Sequence, residues 1–307
     1  MDYQDQLLSK NGIAIINLAK VLLSFDIGQR TPTVTELCEQ LNLSRGTVQN
    51  ALKTLQTNDA VRIESKGHLG SYIVKKNTKI LLQYAGISSL VGAMPLPYSK
   101  KYEGLASGLV TAMENNYNIP ITMSYMRGAK NRIAMVLAHR YDFAVVSKYA
   151  ALEQINRKLP ITIIKDFGRY SYCSAHVVIF HDPKAKAITD GMRIGIDADS
   201  IDQSDMTKRA CRGKSVKYYP VEYSSLLKRV ISGDLDATVW NQDEITDTLA
   251  KVNYTEITMD NVLDTEAVIV VNSGAKEIES LLSEVINTEA VLKIQKLVME
   301  GKVTPSY

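Results

Sequence analysis

The stretch from Thr33 to Val74 constrains this chain more than any other part of it. Thr33-Val34-Thr35-Glu36 has the form of a capping box, in which a hydroxyl and a carboxylate three residues later satisfy the free amides that open a helix. Leu37, Cys38 and Leu41 keep helical spacing until Asn42-Leu43-Ser44 breaks it. Ser44 can then cap a second helix whose buried stripe is Val48, Ala51, Leu52 and Leu55. Val61 to Ser65 and Ser71 to Val74 alternate like strands around Lys66-Gly67-His68-Leu69-Gly70, a glycine-bearing hairpin tip. Two helices joined by a tight turn and followed by a hairpin make a winged helix-turn-helix, for which double-stranded DNA is the expected partner. The expected DNA-binding residues are Thr33, Ser44, Arg45, Gly46, Thr47, Gln49, Asn50 and Lys53, with Lys66, Gly67 and His68 on the wing. Between Arg45 and Lys76, six Lys or Arg stand against two acids, a net of +4 where phosphates would lie.

Thr31-Pro32-Thr33-Val34-Thr35-Glu36-Leu37, Leu41 to Val48, Ala51-Leu52 with Leu55, and the wing from Gly67 to Val74 together resemble the DNA-binding domain of the GntR-type transcription regulators. The resemblance covers about the first quarter of the chain and departs from the family at Thr35 and Gln49, where the family often carries a basic residue. It therefore implies a different operator or a lower affinity. The same fold also serves as a protein-interaction module, and the modest net charge of +3 fits that use. An exposed polar set on one helix, followed by a charged wing, points to DNA instead.

Upstream, apolar residues at helical spacing from Leu7 to Phe25 predict the first helix of the winged domain, ended by Gln29-Arg30-Thr31-Pro32. Lys75 to Lys79 reads as a short polar link, which divides the chain into a DNA-binding domain at 1–78 and a second domain at 79–307. Three cysteines, Cys38, Cys173 and Cys211, lie far apart with no CxxC or Cys/His spacing, so reduced thiols and no metal site are expected. No apolar run approaches a membrane span, and Met1-Asp2-Tyr3-Gln4-Asp5 is unlike a signal peptide, which predicts a cytoplasmic protein with no membrane partner.

The second domain alternates strands and helices, which predicts a largely parallel sheet covered on both faces. Strands are expected at Ser89 to Ala93, Ile119 to Tyr125, Asp142 to Val146, Ile161 to Lys165, His176 to Phe180, Met192 to Ile196, Lys217 to Val221, Ala237 to Trp240 and Glu266 to Val271. Helices are expected at Lys100 to Asn116, Arg132 to His139, Ser204 to Cys211, Ser224 to Ser232 and Ala275 to Glu300. Ile133 to Val146 reads as helix, short turn ending in Asp142, and buried strand; Leu226 to Val239 repeats that phrase around Asp236. The repeat suggests two similar α/β lobes.

This arrangement resembles the type 2 periplasmic-binding-protein fold, and its union with a GntR-like reader is similar to the YhfZ family of regulators. The resemblance implies an α/β architecture with an effector-binding domain of two lobes, at about 80–170 with 245–307 and about 171–244, crossing near Tyr172 and Trp240. The expected protein is a homodimer with no cofactor, whose partners are DNA and a small-molecule effector.

In open α/β sheets ligands sit beyond the carboxyl ends of the strands. The loops there offer Pro97, Tyr98 and Ser99; Ser124, Tyr125 and Arg127; Ser147; Asp199, Ser200 and Gln203; and Trp240 and Asn241. Arg127 is the guanidinium expected to hold an anionic ligand. Each has a structural alternative: prolines shape turns, serines cap helices, Trp240 fills a core. Thirteen of the sixteen tyrosines lie between Tyr84 and Tyr254, which fits a polar aromatic cleft. A domain that only dimerises is one rival reading. An enzyme is another, but the four histidines form no constellation, and GxSxG, Walker and HExxH motifs are absent from the sequence.

Overall fold

The structure, a computed structural model, describes residues 9–117, 119–245, 252–257 and 262–307. It gathers into two compact units. One comprises the chain through Leu90 with Met113–Ile121 and Gly274–Val285; the other comprises Val91–Ala112, Thr122–Ser273 and Ile286–Tyr307.

The first unit contains α1 (Lys10–Leu23), α2 (Val34–Leu41), α3 (Arg45–Thr57), β1 (Val61–Ser65), β2 (Ser71–Lys76), α4 (Thr78–Tyr84) and α10 (Lys276–Val285). The capping box forms: the Glu36 amide donates to Thr33 Oγ1 at 3.2 Å, and the Thr33 amide donates to Glu36 Oε2 at 2.6 Å. These bonds hold the Glu36 carboxyl below its usual range. Asn42 ends α2 in the left-handed region at φ 51°, a conformation its short polar side chain tolerates. The turn into α3 is tight for that reason. Leu18, Leu22, Leu37, Val48, Ala51, Leu55 and Ile73 fill the core, while Leu52 is only half-buried.

Three local expectations are corrected here. The first helix ends at Leu23 rather than Phe25, and Leu7 lies outside the described residues. Residues 29–31 do more than end it, because Arg30 bridges Tyr72 and the Thr31 amide donates to the Ser71 carbonyl at 2.8 Å, so this segment runs beside β2. The supposed link begins inside the wing: Lys75 and Lys76 belong to β2, and Asn77 caps α4 by accepting from the Ile80 amide at 3.2 Å. Strand alternation turns Lys76 inward, where its ammonium lies 3.0 Å from Glu284 on α10 and 3.1 Å from the Phe25 carbonyl.

The rest of the chain forms two five-stranded sheets. The first lobe contains β3 (Leu90–Met94), α5 (Lys100–Tyr117), β4 (Ile121–Tyr125), α6 (Ala129–Leu137), β5 (Phe143–Ser147), α7 (Lys148–Asn156), β6 (Ile161–Asp166), β12 (Ala267–Asn272) and α11 (Thr288–Met299), with strand order β4-β3-β5-β12-β6. The second contains β7 (His176–Phe180), β8 (Arg193–Ile196), α8 (Ile201–Ala210), β9 (Lys217–Pro220), α9 (Tyr223–Ile231), β10 (Ala237–Asn241) and β11 (Asn253–Glu256), ordered β11-β7-β10-β8-β9.

Neither sheet is largely parallel. β3 and β5 run parallel, as do β8 with β9 and with β10, because a helical crossover joins each such pair through the lobe. β12 and β7 enter from the other lobe without such a crossover. They run antiparallel to both of their neighbours. β11, which the sequence did not suggest, lies in the second sheet, so that part of the 245–307 stretch belongs with the second lobe. Residues 275–300 form two helices, because Asn287 caps α11 by accepting from the Ala290 amide. α7 is a further unexpected helix, capped by Ser147.

Candidate functional site

On α3, Arg45, Gly46, Gln49, Asn50 and Lys53 are exposed together. Ser44 caps the helix, accepting from the Thr47 amide, and its hydroxyl meets that of half-buried Thr47 at 2.8 Å. Thr33 is occupied in the capping box of α2. On the wing Lys66, Gly67 and His68 are exposed, with the Lys66 ammonium 4.7 Å from the centre of the Tyr72 ring. The basic count needs one correction: Lys76 is buried against Glu284 and is not part of this face. Arg62 is exposed but engaged with Glu64 at 3.0 Å.

The second unit encloses a cavity of about 80 Å³ beyond the carboxyl ends of β3, β4, β8 and β10. Pro95, Leu96, Tyr98, Tyr102, Arg127, Gly128, Ala129, Arg132 and Tyr172 line it from the first lobe and crossing; His176, Ser200, Asp202, Gln203, Tyr223, Val239, Trp240, Asn241 and Glu244 line it from the second. Six expected residues are therefore brought together: Tyr98, Arg127, Ser200, Gln203, Trp240 and Asn241.

The other six stand elsewhere. Pro97 and Ser99 face a different recess beside Lys101 and Asp243, and Ser99 is occupied in accepting from the Tyr102 amide. Ser124 bonds the Tyr141 hydroxyl, and Tyr125 packs on Tyr307 at 5.2 Å. Ser147 is fully buried and acts through another residue, donating to Asp202 Oδ1 at 2.6 Å. Asp199 is exposed on the rim.

Arg127 reaches the cavity but is already engaged. Its guanidinium lies 3.2 Å from Glu222, 3.7 Å from Asp199 and 3.9 Å from Asp197, all on the second lobe. Three carboxylates neutralise the charge that was expected to draw an anion, so Arg127 acts as a latch between lobes. Gly128 starts α6 at φ 78°, where an added Cβ would sit 2.9 Å from the Asp199 carbonyl.

The guanidinium that carries its charge into the cavity wall is Arg132, only 2% exposed. It donates to the carbonyls of Val145 at 3.0 Å and Met126 at 2.6 Å and to the Tyr172 hydroxyl at 3.0 Å. Among the described residues it forms no ion pair. Opposite in charge is Glu244, buried after β10, which accepts from Asn241 Nδ2 at 3.3 Å. Burial pushes its carboxyl up to about 8, although bonds from Tyr223 and Asn241 pull the other way. Burial likewise raises Asp202 to about 6 against the Ser147 bond. Tyr223 stacks on Trp240 with centroids 4.2 Å apart, and Trp240 Nε1 is buried without a hydrogen-bond partner among the described residues.

His176 is paired with Asp264 at 2.9 Å. Burial opposes a charged ring, but Cys173 and Asp264 outweigh it and hold the imidazole above its usual range. The Cys173 sulfur is 3.7 and 3.8 Å from the two ring nitrogens, equally far from both rather than in line with one, and the thiol is fully buried and raised by that burial. This is poor geometry for a nucleophile and base.

Arg132, Tyr102, Tyr172, His176, Asp202, Tyr223 and Glu244 were absent from the sequence-based set. An arginine one position before Ile133 on an apolar helix was a usable signal for Arg132, and the loop after β10 was followed only to Asn241. Nothing local marks the others.

Comparison with known proteins agrees with this architecture. Residues 26–73 match a helix-turn-helix domain family, and residues 77–307 match the YhfZ C-terminal domain family. The chain is 35% identical over 305 residues to YhfZ of Escherichia coli (strain K12), covering 98% of each. The crystal structure of YhfZ from Shigella flexneri superposes with a TM-score of 0.62 at 34% identity, covering 75% of this chain and 97% of that one. The periplasmic VFT2 domain of Bordetella pertussis BvgS superposes at 0.52 with 15% identity, covering 72% and 97%, which shows a shared fold. The second unit's two sheets thus belong to the two-lobed periplasmic-binding-protein type. Among the described residues no helix is long and apolar enough to cross a membrane.

Proposed function

This chain belongs to the YhfZ family, and on that premise we propose that it is a cytoplasmic, dimeric transcription regulator that reads DNA with α3 and its wing and binds a small molecule in the cavity between its lobes. The observation that carries the reading is the pairing of an exposed polar recognition helix with a cavity whose wall holds a buried guanidinium that forms no ion pair among the described residues. The DNA reader is proposed to be of the GntR type, with Thr35 and Gln49 changing its operator or lowering its affinity. An acid group on the ligand meets Arg132, the role first expected of Arg127. Ligand that binds one lobe arrangement better than another shifts the population of arrangements, and that differential affinity is the coupling to DNA. A regulator is proposed rather than an enzyme: among the described residues, Cys173 and the cavity-lining His176 lack the geometry of a nucleophile and base.

The test is selection of bound fragments from genomic DNA by the full-length protein, followed by titration of the recovered fragment. Arg45→Ala should weaken binding about ten- to hundredfold with unchanged helical circular dichroism. Wild-type affinity should fall steeply with salt. Normal binding by Arg45→Ala, or no salt dependence, would sink the assignment of α3.

A further inference from the structure

Glu244 is the least expected group in the cavity. A carboxyl 7% exposed is normally paired with a cation or coordinated to a metal, since burying the charge alone is costly. Here, among the described residues, no lysine, arginine or histidine forms an ion pair with it. Its surroundings are Asn241, the hydroxyls of Tyr98, Tyr102 and Tyr223, the paired His176 and, on its own turn, Asp243, which is held by Lys101 at 3.5 Å. Tyr223 and Trp240 stack on each other and also line the cavity, so what they can offer a cation there is an outer ring face, not the faces in mutual contact. A buried carboxyl bounded by tyrosines and a tryptophan, and without an ion-pair partner among the described residues, is chemistry that suits an ammonium.

We propose that the ligand is a zwitterion whose ammonium seats against Glu244 beside Tyr223 and Trp240, while its acid group meets Arg132. This rests on the ligand-binding reading above and adds the charge pattern of the ligand. One proton moves on binding. The Glu244 carboxyl, protonated below about 8 because burial disfavours its charge, gives its proton to solvent as the ammonium arrives, and the ligand keeps its own.

The experiment uses the full chain and two matched sets: β-alanine, propionate, propylammonium and propan-1-ol, then 5-aminopentanoate, pentanoate, pentylammonium and pentan-1-ol. Thermal stabilisation is followed first, and calorimetry in two buffers of different ionisation enthalpy then counts protons. The zwitterion of at least one set should stabilise the protein most, with close to one proton released at pH 7 and affinity rising nearly tenfold per pH unit from 6 to 7. Glu244→Gln should lose that proton release and the preference for the zwitterion over the matched acid. The proton count on the wild-type protein stands even if that variant folds poorly. Equal binding of the acid and the zwitterion, or an undiminished preference for the zwitterion in a folded Glu244→Gln, overturns the ammonium site and leaves a ligand-binding cleft; zwitterion preference without proton release overturns only the protonated resting state of Glu244. No response to either set or to a wider panel of cellular acids and sugar phosphates overturns the cleft reading itself.

Discussion

Asp142 in the first lobe and Asp236 in the second hold their sheets together in the same way. Each carboxylate accepts the amide of the neighbouring strand, from Val91 at 2.7 Å and from Arg193 at 2.6 Å, and each residue's own amide donates back to that partner's carbonyl at 2.8 Å. Each lobe also places a glycine in its first parallel strand where a side chain covers it: Gly92 under the Phe143 ring, Gly195 under Leu226 and Leu235. The lobes part company at the cavity. The repeat's helix brings Arg132 to it from α6 but Tyr223 from α9, and only the second lobe adds a buried carboxylate after its central strand. Packing demands keep the internal pairs alike. At the cavity one lobe supplies a guanidinium and the other a carboxyl among aromatic rings.

The equivalence of the two glycines is the easiest part to break. Gly92→Leu and Gly195→Leu should each abolish cooperative folding. The alanine variants should lower stability by about 1–3 kcal/mol, Gly92→Ala by more, because its neighbour is a buried ring and that of Gly195 is a pair of flexible leucine ends. Urea denaturation ranks them; a tolerated Gly92→Leu would mean the lobes are not packed on one plan.

Arg132→Ala should come next, since it strips two buried carbonyls and a tyrosine hydroxyl of their donor, at about 1–3 kcal/mol for each group left unsatisfied. Arg127→Ala, which removes a partly exposed latch, should cost less in urea yet loosen the lobes, as seen by faster proteolysis around Gly128. Equal costs would erase the distinction between the two arginines.

Glu244 and Asp236 should respond to pH in opposite directions. A carboxyl raised in the folded state binds its proton more tightly there than in the unfolded chain. Wild-type stability should therefore decline as pH rises from about 4.5 to about 8, by roughly 1 kcal/mol per unit at most, and Glu244→Gln should flatten that decline. Asp236 is lowered by its bonds from Arg193, so its contribution is present above the ordinary aspartate range and disappears as pH falls through the lowered value. Asp236→Asn should lose that contribution above the aspartate range and with it the acid-side fall, the smallest of these effects because the pair is partly exposed. Stability curves from pH 3 to 9 decide both, and parallel curves for Glu244→Gln and wild type would deny the burial of its charge.

The winged domain was almost wholly legible in the sequence, because its signals are local: a capping box, a break at Asn42, a capping Ser44 and a glycine-bearing hairpin each act within four or five residues. The repeated phrase around Asp142 and Asp236 was legible for the same reason, as were most strands to within a residue or two. Strand direction was not, since it depends on whether a strand arrives through a helical crossover or from the other lobe. Nor were the electrostatics of the cavity. Arg127 looked like the ligand's partner until Asp197, Asp199 and Glu222, about seventy to ninety-five positions along the chain, were found around it. Arg132 looked like one more polar residue on a helix, and Glu244 like part of a turn. Local propensity follows from neighbours in sequence, whereas the worth of a charge follows from desolvation and from whatever the fold sets within a few ångströms of it.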